Sequence, residues 1–480
     1  MNLERLADLD FADKRVTVVG LGVEGVDTVR YLASRGAEVT VSDAKPRERL
    51  AERVRQVADL RVHLSLGEND PVAVRDADAV FLSQGVPLDL PGLDEARGQG
   101  VPVWSMLTLF MELCPGPVVG ITGSSGKSTT TALVGEMFRA DDKPVFTGGN
   151  IGVGLLDHLP EIRAYTWAVL EVSHTQLQMA SRSPHVACLL NVTPNHLDRF
   201  SWDQYRDLKR NVFRFQTAED VAVFAYDDPE SRAMASESRA SCVWFSLGED
   251  IPGDGVYVRE DWARFRRGRY DQPLFPLSSL RLRGRHNRQN AVAAAAVASA
   301  CGVTPEAIAC AAQSFDGIPH RLEHVATLDG ADYYDDSIAT TPERTLAGIR
   351  SYQEPIVLLL GGRGKGLPLE ALAQEAQRRC CAVILFGESA PELEAALRKA
   401  ASGAGAKVAG GAGAKGARVI GVSTLAEAVD AARAAARPGD AVLLSPACTS
   451  FDAYDNFERR GEHFRSLVMQ HVKEVQGSLP

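Results

Sequence analysis

The sequence has no C-x-x-C pair among its eight cysteines and no His/Cys set at zinc-finger spacing, which removes structural zinc sites and dithiol redox motifs from consideration. The cysteines (114, 188, 242, 301, 310, 380, 381 and 448) read instead as small core residues of a chain in a reducing compartment. A basic surplus is missing too: 52 Lys and Arg stand against 62 Asp and Glu, a net charge of −10. That balance argues against a general nucleic-acid binder, although local glycines, lysines and helix N-termini can still hold an anionic ligand. No apolar run is long enough to span a bilayer, since the most apolar long stretch, 291–303, is alanine-rich and short. The N-terminal MNLERLADLDFADKR is charged and lacks the apolar stretch of a signal peptide, so a cytoplasmic, soluble protein is expected. Repeats at solenoid periods are absent as well.

What is present is 480 residues with an ordinary globular composition, too many for one core and enough for two to four domains. VTVVG (16–20) reads as a buried strand followed by glycines and a helix from about 26 to 35, with further strands at 39–43 and 79–83. The stretch around 114–117 reads as a linker. A second strand–loop–helix unit opens at PVVGITGSSGKSTTTALVGEMF (117–138), with strands at 167–173, 186–193 and 222–226 and a closing helix at 286–301. A third unit starts near Phe315, with strands at 355–362, 381–387, 417–422 and 440–446. Strands alternating with helices predict α/β architecture with parallel, doubly wound sheets. Three domains are expected: a Rossmann-like one over 1–114, a central P-loop-type one with a mostly parallel sheet over 115–315, and a Rossmann-like one over 316–480. The glycine- and alanine-rich 401–417 predicts a flexible surface loop.

Gly20-Leu21-Gly22-Val23-Glu24-Gly25 fits G-x-G-x-x-G after a strand, and Asp43 closes the next strand. The glycines allow a tight turn and the helix N-terminus favours a phosphate. Alone, this motif also fits an NAD(P)-dependent oxidoreductase, or a turn with no ligand. Thr122 to Thr129, TGSSGKST, is more specific although Ile121 stands where the strict pattern has glycine. Its small residues let backbone N–H groups wrap phosphates, Lys127 reaches the outer phosphates, and the Ser128 hydroxyl can coordinate magnesium. It reads as an ATP site. Glu171 and His196 lie at strand ends and are candidate metal ligands, a structural role being the alternative. On composition, Lys209 reads as a solvated helix lysine, Asn287 as a helix cap, and Arg281, Arg283 and Arg285 as an exposed basic strand edge. Asp335-Asp336-Ser337 offers metal or ribose contacts at a strand end, and residues 361–366 (GGRGKG) offer an anion nest with a cation.

TGSSGKST, LEVS, NVTPNHLDR, GRHNRQNAVAA, PHRLEHV, DDSIATTP, GGRGKG and SPACTSFDAYDNFERRGEHF follow one another in the order found in Mur ligases, over about residues 16–464. The chain resembles that family, and most of all its glutamate-adding members. The resemblance implies an ATP- and Mg2+-dependent ligase that joins glutamate to the alanyl carboxylate of UDP-N-acetylmuramoyl-L-alanine through an acyl phosphate, in peptidoglycan precursor synthesis. D-Glutamate is the expected amino acid, with L-glutamate or another amino acid as alternatives. A monomer without nucleic-acid partner or membrane insertion is expected. The first domain would then bind the UDP substrate rather than NAD, through Gly22, Val23, Glu24, Gly25, Asp43 and Ser83, joined by Asn150 and His196. Gly123, Ser124, Ser125, Gly126, Lys127, Ser128 and Thr129 would hold ATP, together with Asn287, Asn290, His320, Arg321 and Asp336. Ser128, Glu171 and His196 would bind two magnesium ions with Lys209, carried as a carbamate, which reverses the solvated reading of that lysine. Lys127, Asn150, His196 and Lys209 are the implied catalytic residues, while Thr340, Lys365, Ser450 and Phe457 would receive glutamate. The chain departs from the family pattern at Ile338, where a lysine is usual, at His174 and Thr175, and at Asn195, where an acidic residue is common.

Overall fold

The computed structural model describes residues 10–150, 154–194, 200–248, 251–282, 284–403 and 416–477. They form two compact units, Met1–Leu280 with Arg285–Phe315, and Arg281–Gly284 with Asp316–Pro480. Three sheets run through them, and each is built mainly from short apolar segments buried on both faces, the pattern of parallel strands covered by helices.

The first sheet comprises β1 (Arg15–Val19), β2 (Glu38–Asp43), β3 (Val62–Leu66), β4 (Ala79–Leu82) and β5 (Val103–Ser105), in the order β3-β2-β1-β4-β5, all parallel. The order reverses at β1, so the carboxyl ends of β1, β2 and β4 frame the crevice where such sheets bind ligands. Helix Val23–Ser34 begins directly at the glycine turn, three residues before the position that its apolar pattern indicates, with Gly22 at its N-cap. The turn is therefore part of the helix's start.

The second sheet contains β6 (Val118–Thr122), β7 (Val145–Gly149), β8 (Trp167–Glu171), β9 (Val186–Leu189), β10 (Val221–Ala225), β11 (Ser241–Phe245), β12 (Gly255–Arg259), β13 (Trp262–Arg267) and β14 (Tyr270–Pro276). Its order is β14-β13-β12-β11-β10-β9-β6-β8-β7, parallel from β7 to β12 and antiparallel through β13 and β14. Here β6 is central, flanked by β8 and β9, and its carboxyl end runs into TGSSGKST. Helix Lys127–Ala140 follows and packs against the alanine-rich helix Arg285–Ala300, whose residues Ala291 to Ala298 are buried. Small side chains allow that close approach.

These two sheets share one apolar cluster, which runs from Val18, Phe81 and Phe110 to Leu155, Leu170 and Phe224. Polar contacts cross the same junction: the buried Asp27 carboxylate accepts from Leu156 N (2.8 Å) and Asp157 N (2.9 Å).

The second unit holds β15 (Glu323–Leu328), β16 (Ala331–Asp335), β17 (Ile356–Gly361), β18 (Cys380–Phe386), β19 (Arg418–Gly421) and β20 (Ala441–Ala447), in the order β15-β16-β20-β17-β18-β19. Only the β15–β16 pair is antiparallel. Alternate residues face opposite sides: Leu358, Val383 and Leu443 enter one cluster, while Val357, Ile384 and Val442 enter another. Each such side chain contributes about 1.5–3 kcal/mol on burial, so both faces of this sheet stabilise the unit.

Two expectations from composition need correction. Arg281 lies in no strand and pairs with Asp316 (3.0 Å), Arg285 opens a helix, and Arg283 lies outside the described residues. Asn287 is inside that helix rather than its cap, and its Oδ1 accepts from Asn290 Nδ2 (3.3 Å). Most of the glycine-rich 401–417 lies outside the described residues. Among the described residues no helix is long and apolar enough to cross a membrane.

Candidate active site

The glycine turn after β1 is held by backbone donors and a carboxylate. Leu21 N donates to Asp43 Oδ2 (2.7 Å) and Lys45 N to Asp43 Oδ1 (2.8 Å), so Asp43 braces the turn with both oxygens. Ser83 Oγ donates to Gly20 O (2.6 Å) from the end of β4. A Cβ on Gly25 would stand 2.0 Å from Gly20 O, whereas one on Gly22 would meet nothing within 4 Å. Gly25 is therefore required by packing, and Gly22 and the exposed Val23 face open space. The Glu24 carboxylate accepts from Gln84 N (2.9 Å) and Gln176 Nε2 (2.6 Å), and burial pushes its pKa up.

The second glycine loop is stitched to the segment after β9. Ser124 N donates to Asn191 O (2.9 Å), Ser125 N to Asn191 Oδ1 (2.9 Å), and Thr193 N to Ser124 Oγ (2.9 Å). Gly126 has φ +85°, and a Cβ there would lie 2.3 Å from Asn290 Oδ1, so Asn290 packs directly on the loop. Lys127 Nζ donates to Gly123 O (3.1 Å). Ser128 is half-buried and Thr129 buried in the first turn of the following helix, whose N–H groups present partial positive charge.

Beside this loop lies a polar cluster. Asn150 Nδ2 donates to Glu171 Oε1 (2.9 Å), and Gln84 Nε2 donates to Asn150 Oδ1 and Ser173 Oγ (both 2.9 Å). Glu171 Oε2 is buried and has no hydrogen-bond partner among the described residues. A buried carboxylate oxygen without a donor is costly, and a cation would cover it. With the Ser128 hydroxyl close in sequence to the loop, the donors are hard oxygens, the set that suits magnesium. Lys209 is 1% exposed, and its Nζ donates to Thr122 Oγ1 and Gly123 O, both at 3.1 Å. Burial first, then the Lys127 charge, drives its pKa well below the usual lysine value, against the pull of Glu171. Tyr205, one helical turn earlier, places its ring 5.3 Å from Lys209 Nζ and its hydroxyl 3.1 Å from Ser124 Oγ. His196 and Asn195 lie outside the described residues. An open hollow of about 1080 Å³ at the opposite, amino-terminal strand ends of the first sheet is lined by Arg15, Thr40 and His63, and none of the candidate residues reaches it.

In the second unit, His320 Nδ1 stands 2.7 Å from Asp335 Oδ2, and that carboxylate raises the imidazole pKa. Asp336 is buried, its Oδ2 accepting from Ser445 Oγ (2.7 Å); burial pushes its pKa up to about 7, while Ser445 and Arg321 act the other way. Lys365 Nζ donates to Thr340 Oγ1 (3.1 Å). The Phe457 carbonyl accepts from Ser337 Oγ (2.8 Å), and the Phe457 ring centroid is 6.3 Å from that of His320. Ser450 is buried. Arg460, fully buried, donates to Ser337 O (2.9 Å), Cys448 O (3.1 Å) and Thr449 O (3.1 Å), and so ties the segments that carry Thr340 and Ser450.

The structure thus gathers Gly123 to Thr129, Asn150, Glu171, Lys209 and Asn290 in the first unit, and Asp336, Thr340 and Lys365 with their supports in the second. Gln84, Gln176, Tyr205, Ser445 and Arg460 escape a reading of the sequence. One of them carries a local signal: Ser173-x-x-Gln176 is a capping box, with both of its hydrogen bonds formed.

A loop of small residues running from the carboxyl end of a central parallel strand into a helix N-terminus, beside a buried carboxylate, is the arrangement of an α/β enzyme that handles nucleotide phosphates. Family profiles agree along the chain: Mur ligase MurD-like N-terminal domain at residues 14–105, Mur ligase middle domain at 121–298, and Mur ligase, glutamate ligase domain at 320–448. A UDP-N-acetylmuramoylalanine–D-glutamate ligase of Symbiobacterium thermophilum is 41% identical over 457 residues, covering 95% of this chain and 98% of that protein. One of the same name from Koribacter versatilis is 36% identical, covering 97% and 99%. In fold, the chain is similar to UDP-N-acetylmuramate–alanine ligase of Thermotoga maritima, with TM-score 0.55, 18% identity, and coverage of 97% and 100%. MurF of Acinetobacter baumannii gives TM-score 0.53 at 20% identity, covering 83% and 92%. The chain belongs to the Mur ligase family.

Proposed function

We propose that this chain is the ATP-dependent ligase that joins D-glutamate to the alanyl carboxylate of UDP-N-acetylmuramoyl-L-alanine, a cytoplasmic step of peptidoglycan precursor synthesis. The observation that carries the reading is the conjunction of Lys127 and the glycine loop with Glu171, whose Oε2 is buried without a donor, and the buried Lys209. The names of the relatives supply the amino acid and the UDP-sugar.

A carboxylate is a poor acyl donor and must be activated. One of its oxygens attacks the γ-phosphorus of ATP, the bond to the β-phosphate oxygen breaks, and an acyl phosphate and ADP result. Lys127 and the loop N–H groups neutralise charge on the transferring phosphoryl group. Glu171 and Ser128 would hold magnesium, which when bound adds positive charge at the same phosphates. Burial and the Lys127 charge favour the neutral amine of Lys209, whose electron pair can attack carbon dioxide: a bond from Nζ to carbon forms, a proton passes to solvent, and the amine becomes an anionic oxygen ligand. Asn150 fixes the orientation of Glu171 through its Nδ2 donor. Thr340 and Lys365 orient the glutamate carboxylates, leaving its neutral amine to attack the acyl carbon; phosphate then leaves from the tetrahedral intermediate, and the amine proton goes to solvent.

Labelling the alanyl carboxylate with heavy oxygen tests the sequence of steps. The label is expected in the released phosphate, one atom per turnover. Label confined to the amide product and water would overturn the acyl-phosphate route.

A further inference from the structure

Two exposed cations converge on one short turn of the second unit, and the polar network described so far uses only one of them. Lys365 Nζ donates to Thr340 Oγ1 (3.1 Å), and Arg344 Nη1 donates to Ile338 O (3.2 Å). The turn itself is closed by Thr340 N donating to the same Ile338 O (2.9 Å), so both cations are fastened to residues 338–340. Arg344 lies in the first turn of helix Pro342–Ile349, where free N–H groups already add partial positive charge. The Thr341 side chain does not cap that helix.

No protein carboxylate among the described residues neutralises this pair of cations. Neither Lys365 nor Arg344 forms an ion pair among the described residues; Glu343, beside Arg344 in sequence, and Glu392, on the wall of the small hollow under Lys365, pair with neither. Partial burial and the nearby Arg344 charge both pull the Lys365 pKa down. Two like charges and a helix N-terminus aimed at one turn call for a ligand with two negative groups, and a planar guanidinium binds a carboxylate through two parallel donors.

We propose that Arg344 is the second cation of the amino-acid site, binding one carboxylate of a dicarboxylic amino acid while Lys365 binds the other. The inference rests on the reading of the second unit as the glutamate-binding part of the ligase. It makes Arg344 a specificity-determining residue: it favours glutamate over glutamine, whose side-chain amide brings no charge to pair with it.

The test compares Arg344→Ala, Arg344→Lys and Lys365→Ala with the unaltered full-length chain, following phosphate release as D-glutamate, D-glutamine, ATP and the UDP-sugar are varied in turn. Losing a hydrogen-bonded charge pair of this kind raises KM roughly 10- to 100-fold. Arg344→Ala should therefore raise KM for D-glutamate by about that factor, leave KM for ATP and the melting temperature unchanged, and shrink the preference for D-glutamate over D-glutamine. Arg344→Lys should recover part of the loss. An unchanged KM for D-glutamate in Arg344→Ala, with Lys365→Ala impaired, would overturn the assignment of Arg344 and leave the glutamate site standing. An unaltered chain that turns over no dicarboxylic amino acid would overturn both. A lowered melting temperature with KM values for ATP and D-glutamate raised alike would show a structural role and also overturn the assignment.

Discussion

Lys209 lies on a helix with Asp203, Arg206, Asp207 and Arg210, and its sequence context gives it every mark of a solvated residue. Tertiary packing reverses this. The Tyr205 and Lys209 face of the helix is pressed against the glycine loop, and Nζ loses water for two oxygen acceptors. Burial and the Lys127 charge lower the pKa of this amine and so favour its neutral form, the form that takes up carbon dioxide. Intact-protein mass spectrometry in bicarbonate, or carbon-13 NMR with labelled bicarbonate, should therefore show one carbamate that is lost in Lys209→Ala. Its presence in that variant would place the modification elsewhere. Asp336 gives a second residue-scale prediction. Its ordinary pKa is 3.8 and its folded value about 7, so between these limits the folded chain binds more protons than the unfolded one. Stability from this group is complete below about pH 4 and falls as pH rises through about 7. Asp336→Asn should remove that slope, and the variant should gain on the unaltered chain by roughly 2–4 kcal/mol between acid and alkaline conditions. Melting temperatures at about pH 5 and pH 8 would check it; parallel changes in both proteins would contradict it.

At the scale of elements, the glycine turns were the most readable features, because a strand, a run of small residues and a helix leave a local signature. TGSSGKST occupies the predicted junction between β6 and its helix. What sequence could not give was the reason for each glycine. Gly25 is demanded by Gly20 O across the turn, a contact that no motif states. Gly25→Ala should force the turn and helix apart at a cost of about 1–3 kcal/mol or more. A lower melting temperature and a raised KM for the UDP-sugar would report this, while unchanged values would contradict the packing. Strands β3, β5 and β7 lack long apolar runs and were not legible, since their pairing with stronger neighbours makes them strands. The antiparallel β12–β14 extension was likewise missed, because β13 and β14 carry Arg, Tyr, Asp and Gln where a buried strand would show an apolar run.

Across the whole molecule, the α/β architecture and its mostly parallel sheets follow from alternation of strands and helices, and the ordered motifs carry the family. Contacts between distant residues are another matter. Asp27 holds the backbone at Leu156 and Asp157, while Gln84 reaches Asn150 and Gln176 reaches Glu24. Each joins residues more than sixty positions apart, so none has a sequence signature. They bind the glycine turn of the first sheet to the carboxylate cluster of the second within one unit. The first glycine motif, taken alone, also fitted a nicotinamide enzyme, and the profile that matches residues 14–105 is that of a Mur ligase instead.

The most direct measurement is phosphate release from ATP and magnesium with UDP-N-acetylmuramoyl-L-alanine, with D-glutamate, L-glutamate or no amino acid added. Steady release with D-glutamate, and not with L-glutamate or in its absence, is the predicted result. Release with L-glutamate alone, or none with either, would contradict the proposed activity.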